Sequence, residues 1–501
     1  MKPRSSARGG GGETRRFRNV ALLALMLCSL VALSLIRARF FPIASAGGET
    51  LKLKAEESKL VVVTTKPAVV STDSGDGAGE AADEQEEEAP AKAGGDGDGG
   101  GGGNPVCYET SRRSDTCEAA GDVRVVGNSQ SIYVDGLERE LKTKPYCRKH
   151  DAFALAHVKE WTLKPLPSGA AGDGDGDGGG GAAPRCTTNS SATAFVLSTG
   201  GFTGNPFHDY TDVLIPVFIT AHRFAGEVQF LVSRYKSWWM NKYIKIFQQM
   251  SRYDVVDIDA DDEVRCYRSA VVGPTFHKEL GVDPSKTPSG YSVLDFRKLL
   301  RGAFGLDRAT ATPSGDRWDI RRRPRLLIIS RRPSRGRAFM NERAMADMAS
   351  SLGFDVRVGE PDATTDTSKF ARLVNSCDVM VGVHGAGLTN MVFLPAGAVL
   401  VQVVPYGRLE WLARNTFAEP SGAMEIHYLE YAVQLDETTL SEQYPADHQV
   451  LRDPMAIHKQ GWEALKTTYL DKQNVRPHLG RLKNTFLQAL KLLPHGRDIM
   501  N

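Results

Sequence analysis

From Thr193 onward, the chain alternates short apolar runs with longer segments of helical periodicity. Strands that alternate with helices of about ten to fifteen residues are typical of parallel βαβ units. The pattern therefore predicts an α/β fold with parallel sheets. In chain order, the first run of predicted elements is strand 194–198 (AFVLS), helix 208–224, strand 227–233 (EVQFLVS), helix 238–250 and strand 253–258.

A second run of the same kind follows a stretch with one Pro and three Gly residues, 302–315. Two such runs predict two Rossmann-like lobes with a central cleft, here 105–320 and 321–501. The second lobe is expected to end in two amphipathic helical segments, 455–470 and 479–493. Its other predicted elements are strand 325–330, helix 341–352, strand 354–358, helix 368–375, strand 378–383 and strand 398–404.

Near the N-terminus, residues 20–36 (VALLALMLCSLVALSLI) form an uncharged apolar run. As a helix, this run would be roughly 25 Å long, at the short end for a membrane crossing. Arg15, Arg16 and Arg18 precede it, so residues 1–19 are predicted to be a cytosolic tail and the rest lumenal. A cleaved signal peptide is the alternative, but the run exceeds a typical signal core and no A-x-A site closely follows it.

Two low-complexity regions lie within the predicted lumenal part. Residues 37–104 are rich in Ala, Gly, Asp and Glu, a composition typical of a disordered stem. Residues 169–183 contain a tract of Gly and Asp and are expected to be a disordered insertion. The net charge of +2 gives no basic field that would indicate a nucleic-acid partner.

A lumenal location makes disulfides possible. Six cysteines follow the apolar run and allow fifteen pairings, among which sequence does not choose, although Cys107 and Cys117 are close enough to close a small loop. Asn189-Ser190-Ser191 is a predicted glycosylation sequon. The spacing of Cys and His residues indicates no zinc site.

Residues 377–405 (CDVMVGVHGAGLTNMVFLPAGAVLVQVVP) carry the most informative motif. An apolar strand ends at Val383, the tight turn His384-Gly385-Ala386-Gly387 follows, and a helix is predicted from Leu388. The amide groups and dipole of a helix N-terminus favour a diphosphate, and Gly permits close approach of the backbone. A simple tight turn is the alternative reading of these residues.

The segment 381–405 resembles the signature of family 61 glycosyltransferases, a group with plant xylan arabinosyl- and xylosyltransferases and N-glycan core xylosyltransferases. The resemblance extends from about Cys186 to Tyr469. The other matching pieces are GNPFHDYTDVLIPVF (204–218), IISRRPSRGRAFMNE (328–342) and MEIHYLEY (424–431). It implies a fold similar to GT-B enzymes, a UDP-sugar donor and inversion at the anomeric carbon.

Four arginines follow the predicted strand 325–330: Arg331, Arg332, Arg335 and Arg337. Guanidinium groups bind phosphate oxygens in a bidentate way and keep their charge as a leaving group becomes anionic. Most charge runs are only solvated loops. The resemblance nevertheless favours phosphate contacts, with Arg331 and Arg335 as first choices beside His384, Gly385, Ala386, Gly387 and Asn390.

Asn205, His208 and Asp212 fit the pattern of the family in the first lobe. On a helix, His208 and Asp212 share one face, and inversion needs one base for the acceptor hydroxyl. Either residue could be that base while the other orients it, and Asp209 lies off the shared face. The structural alternative is N-capping by Asn205 or Asp209 with a His–Asp hydrogen bond.

Three further patterns in the sequence have a bland and a functional reading. Asp257-Ile258-Asp259 could hold a metal ion, but two-lobed glycosyltransferases usually neutralise the diphosphate with arginines, so no metal cofactor is expected. Trp238 and Trp239 are expected to pack in the protein, although stacking on an acceptor glycan is open. A dehydrogenase is disfavoured because neither lobe has a GxGxxG turn after its first strand.

The resulting prediction is an inverting pentosyltransferase of the Golgi membrane, with xylose or arabinofuranose transferred from a UDP-pentose to xylan, alone or in a complex with other glycosyltransferases. One alternative is an N-glycan core β-1,2-xylosyltransferase or a protein O-GlcNAc-type transferase. Another is a non-catalytic scaffold of a xylan synthase complex.

Overall fold

The computed structural model describes residues 106–167, 183–312, 323–361 and 365–494. The predicted tail 1–19, the membrane anchor 20–36 and the stem 37–104 lie outside these residues, as does all of the insertion 169–183 except Ala183. In the described part of the chain, no helix is long and apolar enough to span a membrane. Contacts divide the chain into units 1–55 and 56–501, and every described residue belongs to the second.

Two sheets organise this unit, one built from 106–272 and the other from 325–432. Their strands are β1 Val106–Ser111, β2 Ser114–Val126, β3 Ser131–Val134, β4 Leu141–Thr143, β5 Trp161–Pro165, β6 Thr188–Asn189, β7 Thr193–Ser198, β8 Val228–Ser233, β9 Val256–Asp257, β10 Val264–Val272, β11 Arg325–Ile329, β12 Asp355–Gly359, β13 Val379–Val383, β14 Val399–Val404 and β15 His427–Ala432.

The helices cover and connect the two sheets. The α-helices are α1 Ala152–Ala156, α2 Pro206–His208, α3 Ile215–Ala221, α4 Ser237–Met250, α5 Val293–Phe304, α6 Glu342–Ser351, α7 Thr367–Asn375, α8 Glu410–Ala413, α9 Glu419–Ala423, α10 Leu440–Gln443, α11 Gln449–Arg452, α12 Pro454–His458, α13 Trp462–Leu465 and α14 Leu479–Leu492. Wider π-helical turns span Asp209–Leu214, Arg414–Ala418 and Lys466–Asp471, and a 3₁₀ helix spans Ala386–Phe393.

The first sheet is mixed, which corrects the expectation of a purely parallel first lobe. Its strands lie in the order β4-β5-β3-β2-β10-β7-β8-β9. The part β10-β7-β8-β9 is parallel, whereas β2 runs antiparallel to β1, β3 and β10. A two-residue turn, Arg112–Arg113, joins β1 to β2, and so short a connection permits only antiparallel pairing.

The second sheet is parallel throughout, in the order β12-β11-β13-β14-β15. Numbered within this sheet alone, the order is 2-1-3-4-5, a known doubly wound arrangement with its reversal between the first and third strands. The predicted Rossmann-like character is therefore found here. Together the two sheets and their helices form a mixed α/β fold that is consistent with a GT-B-like architecture.

One continuous apolar core extends across both lobes. It contains Phe195 and Phe247 from the first lobe, Leu327 and Val381 from the second, and Phe296 of α5. Because burial of such side chains is the main favourable term in folding, the shared core holds the two sheets in one unit. The stretch 302–315, which contains Pro and Gly, begins inside a helix, because residues 302–304 complete α5.

Two disulfides tie down the first sheet. Cys107 pairs with Cys117 across β1 and β2, as the sequence spacing had suggested, and Cys186 pairs with Cys266 of β10. Among the described cysteines, Cys147 and Cys377 are free thiols, and both are buried. Asn189 of the predicted sequon is exposed on β6, beside Cys266 in the strand register.

Candidate functional site

The two motifs predicted to bind phosphate follow neighbouring strands of the second sheet. Strand β11 ends at Ile329, β13 ends at Val383, and the two pair in parallel. The strand order reverses between them, and ligands of doubly wound sheets bind at the carboxyl ends of strands at such a reversal. The topology therefore brings the arginine segment and the HGAG turn to the position where nucleotides bind in this class of sheet.

Gly385 allows the arginine side chains to approach the HGAG turn. Its φ of 152° is a conformation that side-chain-bearing residues rarely adopt. A Cβ atom there would lie 2.9 Å from Arg337 Nη1 and 3.5 Å from Arg331 Nη1. Two guanidinium groups therefore lie against the turn, and a side chain at this position would press on Arg337, while Arg331 would stay at ordinary contact distance.

Arg337, which sequence reasoning ranked below Arg335, is the arginine most firmly built into this group. It is 7% exposed, adopts a left-handed φ of 59°, and donates from Nη1 to the His384 carbonyl oxygen at 3.1 Å. A left-handed non-glycine residue is strained by about 1–3 kcal/mol, and such strain clusters at functional sites. Arg335 is exposed and takes part through its carbonyl oxygen, which accepts from Arg331 Nη2 at 3.1 Å.

His384 is buried between the turn and strand β14. Its backbone N–H donates to the Val403 carbonyl oxygen at 2.9 Å, and its Nδ1 lies 2.7 Å from Gln402 Nε2. Burial, together with the positive charges of Arg337 and Arg331, lowers the pKa of His384 to about 3. The ring is therefore neutral at physiological pH and can present either a proton or a lone pair to a ligand.

The remaining residues of the HGAG segment shape the turn. Ala386 and Gly387 are half-buried at the start of the 3₁₀ helix, and the Gly385 carbonyl oxygen accepts from the Leu388 N–H at 2.9 Å. Asn390 donates from Nδ2 to the Gly387 carbonyl oxygen at 2.9 Å. The side chain of Asn390 thus braces the turn from within the helix.

In the first lobe, His208 and Asp212 meet as their spacing predicted. His208 Nδ1 lies 2.9 Å from Asp212 Oδ2, and both residues are buried. Asn205 caps the helix by accepting from the Phe207 N–H at 3.0 Å, so the capping alternative also holds for Asn205. The π-helical turn over Asp209–Leu214 sits at this pair, and such turns are frequent at functional sites.

Two arginines from the start of the described chain bind Asp212. Arg113 Nη2 lies 2.7 Å from Oδ1 and Arg148 Nε lies 2.7 Å from Oδ2, while the Tyr146 hydroxyl group lies 3.2 Å from Oδ2. Burial alone would raise the pKa of Asp212, but Arg148, His208 and Arg113 together hold it well below its usual range. Asp212 is therefore a permanent carboxylate in a polar cluster.

The ionised carboxylate of Asp212 determines which ring nitrogen of His208 carries the proton. Arg148 Nη2 also lies 3.2 Å from His208 Nδ1, but a guanidinium group only donates, and an ionised carboxylate only accepts. The shorter contact, with the carboxylate, places the proton on Nδ1. Nε2 of His208 then carries the free lone pair, which is the arrangement of a histidine that accepts a proton from a substrate.

The His208 pair and the HGAG turn adjoin each other. The ring of Phe417 lies 6.2 Å from the ring of Phe207, the neighbour of His208, and 5.8 Å from the ring of His384. Tyr210 and Phe393 extend the same contact, with ring centres 6.1 Å apart. The structure therefore brings the motifs of the two lobes together, although His208 and His384 are 176 residues apart in sequence.

Asp209 belongs to the scaffold of the site. Its carboxylate accepts from the Gly204 N–H and Trp239 Nε1, each at 2.7 Å, and from the Tyr243 hydroxyl group at 2.8 Å. Burial raises its pKa. Trp239 is fully buried, as expected of a core residue, whereas Trp238 is 53% exposed beside Gly204. Stacking of Trp238 on an acceptor glycan stays a prediction.

The Asp257-Ile258-Asp259 motif is used internally. Asp259 accepts from Ser233 Oγ at 3.1 Å and from the Arg234 N–H at 2.7 Å, and it forms an ion pair with Lys159 at 3.1 Å. Three donors therefore occupy this carboxylate. Within the described ranges, no three His, Cys, Asp or Glu side chains group to hold a metal ion.

Three residues of the site were not predicted from the sequence: Arg113, Arg148 and Gln402. Arg337 was predicted, but below Arg331 and Arg335. Arg113 and Arg148 lie before Thr193, in strands and turns without a long apolar run. Gln402 carried a readable signal, because it interrupts the otherwise apolar strand VLVQVV with an amide. A buried amide needs hydrogen-bond partners, and that need points to a polar neighbour.

Comparison with known proteins supplies the family. The model of the family Glycosyltransferase 61 matches residues 207–401. The chain is 42% identical over 391 residues to alpha-1,3-arabinosyltransferase XAT3 of Oryza sativa subsp. japonica, covering 77% of this chain and 65% of the relative. The chain thus spans somewhat less than two thirds of the length of that relative.

Two further relatives are covered over more of their length. Beta-1,2-xylosyltransferase XYXT1 of Oryza sativa subsp. japonica is 38% identical over 407 residues, which is 77% of this chain and 84% of the relative. Xylan glycosyltransferase MUCI21 of Arabidopsis thaliana is 36% identical over 400 residues, 76% of this chain and 78% of the relative. With its fold, its motifs and this extent of similarity, the chain belongs to glycosyltransferase family 61.

Proposed function

We propose that the protein is an inverting glycosyltransferase that transfers a pentose, xylose or arabinofuranose, from a UDP-sugar to xylan. One observation carries the proposal. A buried His–Asp pair adjoins a turn lined by two arginines and a histidine, at the strand-order reversal of a parallel sheet. The names of the family relatives, two of which specify arabinosyl or xylosyl transfer and one xylan, give the substrate class.

The second lobe is assigned to the UDP group of the donor. Arg331 and Arg337 supply fixed positive charges beside the HGAG turn, and the backbone of that turn can approach a diphosphate closely. Because both charges are already in position, they stabilise the UDP oxyanion as it forms, with little reorganisation. Arg335 remains a candidate for the rim of this site, where its exposed side chain could meet the nucleotide.

His208 is assigned as the general base and Asp212 as the residue that orients it. Nε2 of His208 accepts the proton of the acceptor hydroxyl group as that oxygen attacks the anomeric carbon. The new C–O bond forms while the bond from the anomeric carbon to the UDP oxygen breaks, and its electrons leave with UDP. Asp212 then stabilises the resulting imidazolium through Nδ1, and Arg113 and Arg148 keep Asp212 ionised.

The donor and acceptor can be identified by offering them in parallel. Purified full-length protein receives UDP-xylose, UDP-arabinofuranose or UDP-GlcNAc with xylo-oligosaccharide, N-glycan or protein acceptors, and products are read by mass. The proposal expects one pentose to be added to the xylo-oligosaccharide. Transfer only to an N-glycan or a protein would replace it with the corresponding alternative activity, and UDP binding without any product would favour the non-catalytic scaffold.

We propose a lumenal location in the Golgi, with the apolar run 20–36 as the anchor. Disulfides are typical of oxidising compartments, and Cys107–Cys117 and Cys186–Cys266 lie in one sheet together with the exposed sequon residue Asn189. A glycosidase-sensitive mass that disappears in Asn189→Gln would support this location. Modification by a membrane-impermeant thiol reagent after selective reduction, in intact vesicles, would contradict it.

No metal ion is assigned to the reaction. Arginines and a neutral histidine provide the charge and the donors for the diphosphate, and Asp259 of the acidic motif is engaged elsewhere. We expect full transfer activity in EDTA. Loss of activity in EDTA, with recovery on addition of Mn²⁺, would assign a metal to the donor.

A further inference from the structure

Gln402 is the polar residue in the middle of the buried strand β14. All six residues of this strand, VLVQVV, are buried, and Gln402 itself is fully inaccessible. A buried amide costs free energy unless hydrogen bonds satisfy it, and an aliphatic residue would fill the same position without that cost. The position therefore calls for a purpose beyond packing.

The partners of Gln402 lie on the two neighbouring strands. Its Nε2 lies 2.7 Å from His384 Nδ1, which follows β13, and its Oε1 lies 2.9 Å from the Tyr428 hydroxyl group on β15. Strand β14 pairs with β13 on one side and with β15 on the other. The amide thus bridges the ring of His384 to a tyrosine across the sheet.

The orientation of the amide follows from the protons available. Tyr428 has one hydroxyl proton and two acceptors within reach, Gln402 Oε1 at 2.9 Å and Glu430 Oε2 at 3.4 Å. Glu430 is already bonded by Arg414 Nε and Nη2 at 3.2 and 3.3 Å. Tyr428 therefore donates to the nearer Gln402 oxygen, and the Gln402 NH₂ group donates to Nδ1 of His384.

We propose that Gln402 is a positioning residue that holds His384 in the neutral tautomer with its proton on Nε2. In this state, His384 donates a hydrogen bond to the diphosphate of the donor. The opposite tautomer would turn a lone pair towards phosphate oxygens and repel them. The inference rests on the proposed function, because it takes the ligand at His384 to be a sugar nucleotide.

The tautomer can be read directly, without any assay of activity. Full-length protein labelled with ¹⁵N-histidine is examined by NMR, and the signals of His384 are identified by their loss in His384→Asn. We expect a protonated Nε2 and a bare Nδ1 in the wild type, with and without UDP. A wild-type ring protonated on Nδ1 alone overturns the inference.

Gln402→Glu reverses the polarity of the contact and gives a pH signature. The introduced carboxylate only accepts, so the neutral His384 ring must place its proton on Nδ1. The other charged groups facing this region are Arg331, Arg337, Glu430 and Arg414, and the substitution leaves all four in place. A second proton, taken up as the pH falls, restores the Nε2 donor in this variant alone.

UDP affinity, given as the ratio of variant to wild type, then distinguishes the outcomes. We expect the Gln402→Glu ratio to fall by about tenfold to a hundredfold at about pH 8 and to recover towards about pH 5.5. The ratio cancels the protonation of UDP itself. A ratio near one at every pH overturns the inference about Gln402. A wild-type protein that carries the proton on Nε2 of His384 but binds no UDP overturns the proposed function, and with it the assignment of a sugar nucleotide as the ligand at His384.

The carboxylate that Gln402→Glu introduces is buried and could prevent folding. Tyr428→Phe is a milder variant, because it adds no charge. It removes the proton that orients Gln402, so we expect both tautomers of His384 and an affinity for UDP several-fold lower. Tyr431→Phe, in the same strand, is the matched control, because the Tyr431 hydroxyl group bonds Glu437 instead. An equal effect of Tyr431→Phe overturns the assignment of a relay through Tyr428 and Gln402.

Discussion

Arg148 Nε lies 2.7 Å from Asp212 Oδ2, and the two side chains are 4% and 0% exposed. An ion pair so deeply buried loses most of its Coulomb energy to desolvation, so it is a poor source of stability compared with apolar residues. Its effect here is to keep Asp212 ionised and directed at His208 Nδ1. The pair is thus better explained by the orientation of the histidine than by packing.

Breaking that pair from one side should be costly. We expect Arg148→Met to lower the free energy of unfolding by about 3–5 kcal/mol, because it leaves a buried carboxylate with fewer partners. Urea unfolding measures the change. Arg252→Met is the matched control, since Arg252 and its partner Glu227 are 71% and 49% exposed, and the expected change is below about 1 kcal/mol. Equal losses in the two variants would contradict the account of the cluster.

The arginines after β11 should differ in their effect on nucleotide binding. We expect Arg337→Ala and Arg331→Ala to weaken UDP binding by about tenfold or more, since each removes a charge-assisted contact of about 1.5–3 kcal/mol. Arg335→Ala, at an exposed position in the same loop, should have a smaller effect. Calorimetric titration with UDP measures all three. A loss confined to Arg335→Ala would move the diphosphate away from Gly385.

The neutral state of His384 predicts a pH dependence of stability. Its folded pKa of about 3 lies below the value near 6.5 of an unfolded histidine. Between these values only the unfolded chain binds the proton, so this contribution to stability is complete above about pH 6.5 and is lost as the pH falls.

Unfolding of the wild type and of His384→Asn at several pH values tests this dependence. From about pH 6.5 to about pH 4.5, the wild type should lose about 2 kcal/mol more than the variant. His277, whose pKa burial lowers to about 4, titrates in the same window in both proteins and cancels in the difference. An equal loss of unfolding free energy in the two proteins would show that His384 binds a proton as readily in the folded protein as in the unfolded chain.

The longer disulfide should stabilise the fold more than the shorter one. Cys186 and Cys266 are 80 residues apart and Cys107 and Cys117 are 10 apart. On the chain-entropy estimate, the longer loop is worth about 4.5 kcal/mol and the shorter about 2.7 kcal/mol. Thermal unfolding of the double alanine variant of each pair compares them. A greater loss for the Cys107–Cys117 pair would contradict the entropic estimate.

The second lobe was largely predictable because its signals are local. Strands 325–330, 378–383 and 398–404 are short apolar runs between helices, and parallel pairing follows from that alternation. Strand β15 was missed, since His427, Glu430 and their neighbours do not form an apolar run. The site followed from the topology, because the turns after β11 and β13 meet at the same edge of the sheet.

The first lobe was harder to predict because its pairing is non-local. Strands β1 to β5 are short or rich in polar residues, and they join the rest of the sheet through β2, which pairs with β10 more than 130 residues later. The two arginines that pair with Asp212 come from this N-terminal part of the lobe. Spacing along the helix therefore revealed His208 but neither Arg113 nor Arg148. Only the folded chain brings those arginines to the carboxylate.

The central claim is tested most directly by transfer from a UDP-pentose to xylo-oligosaccharide by the wild type, His208→Gln and Asp212→Asn. His427→Gln, at an exposed histidine of β15, is the matched control. The account predicts that both site variants bind UDP like the wild type but lose about 10²–10⁴-fold in turnover, because the base or its orienting partner is gone. Wild-type turnover by His208→Gln would contradict it.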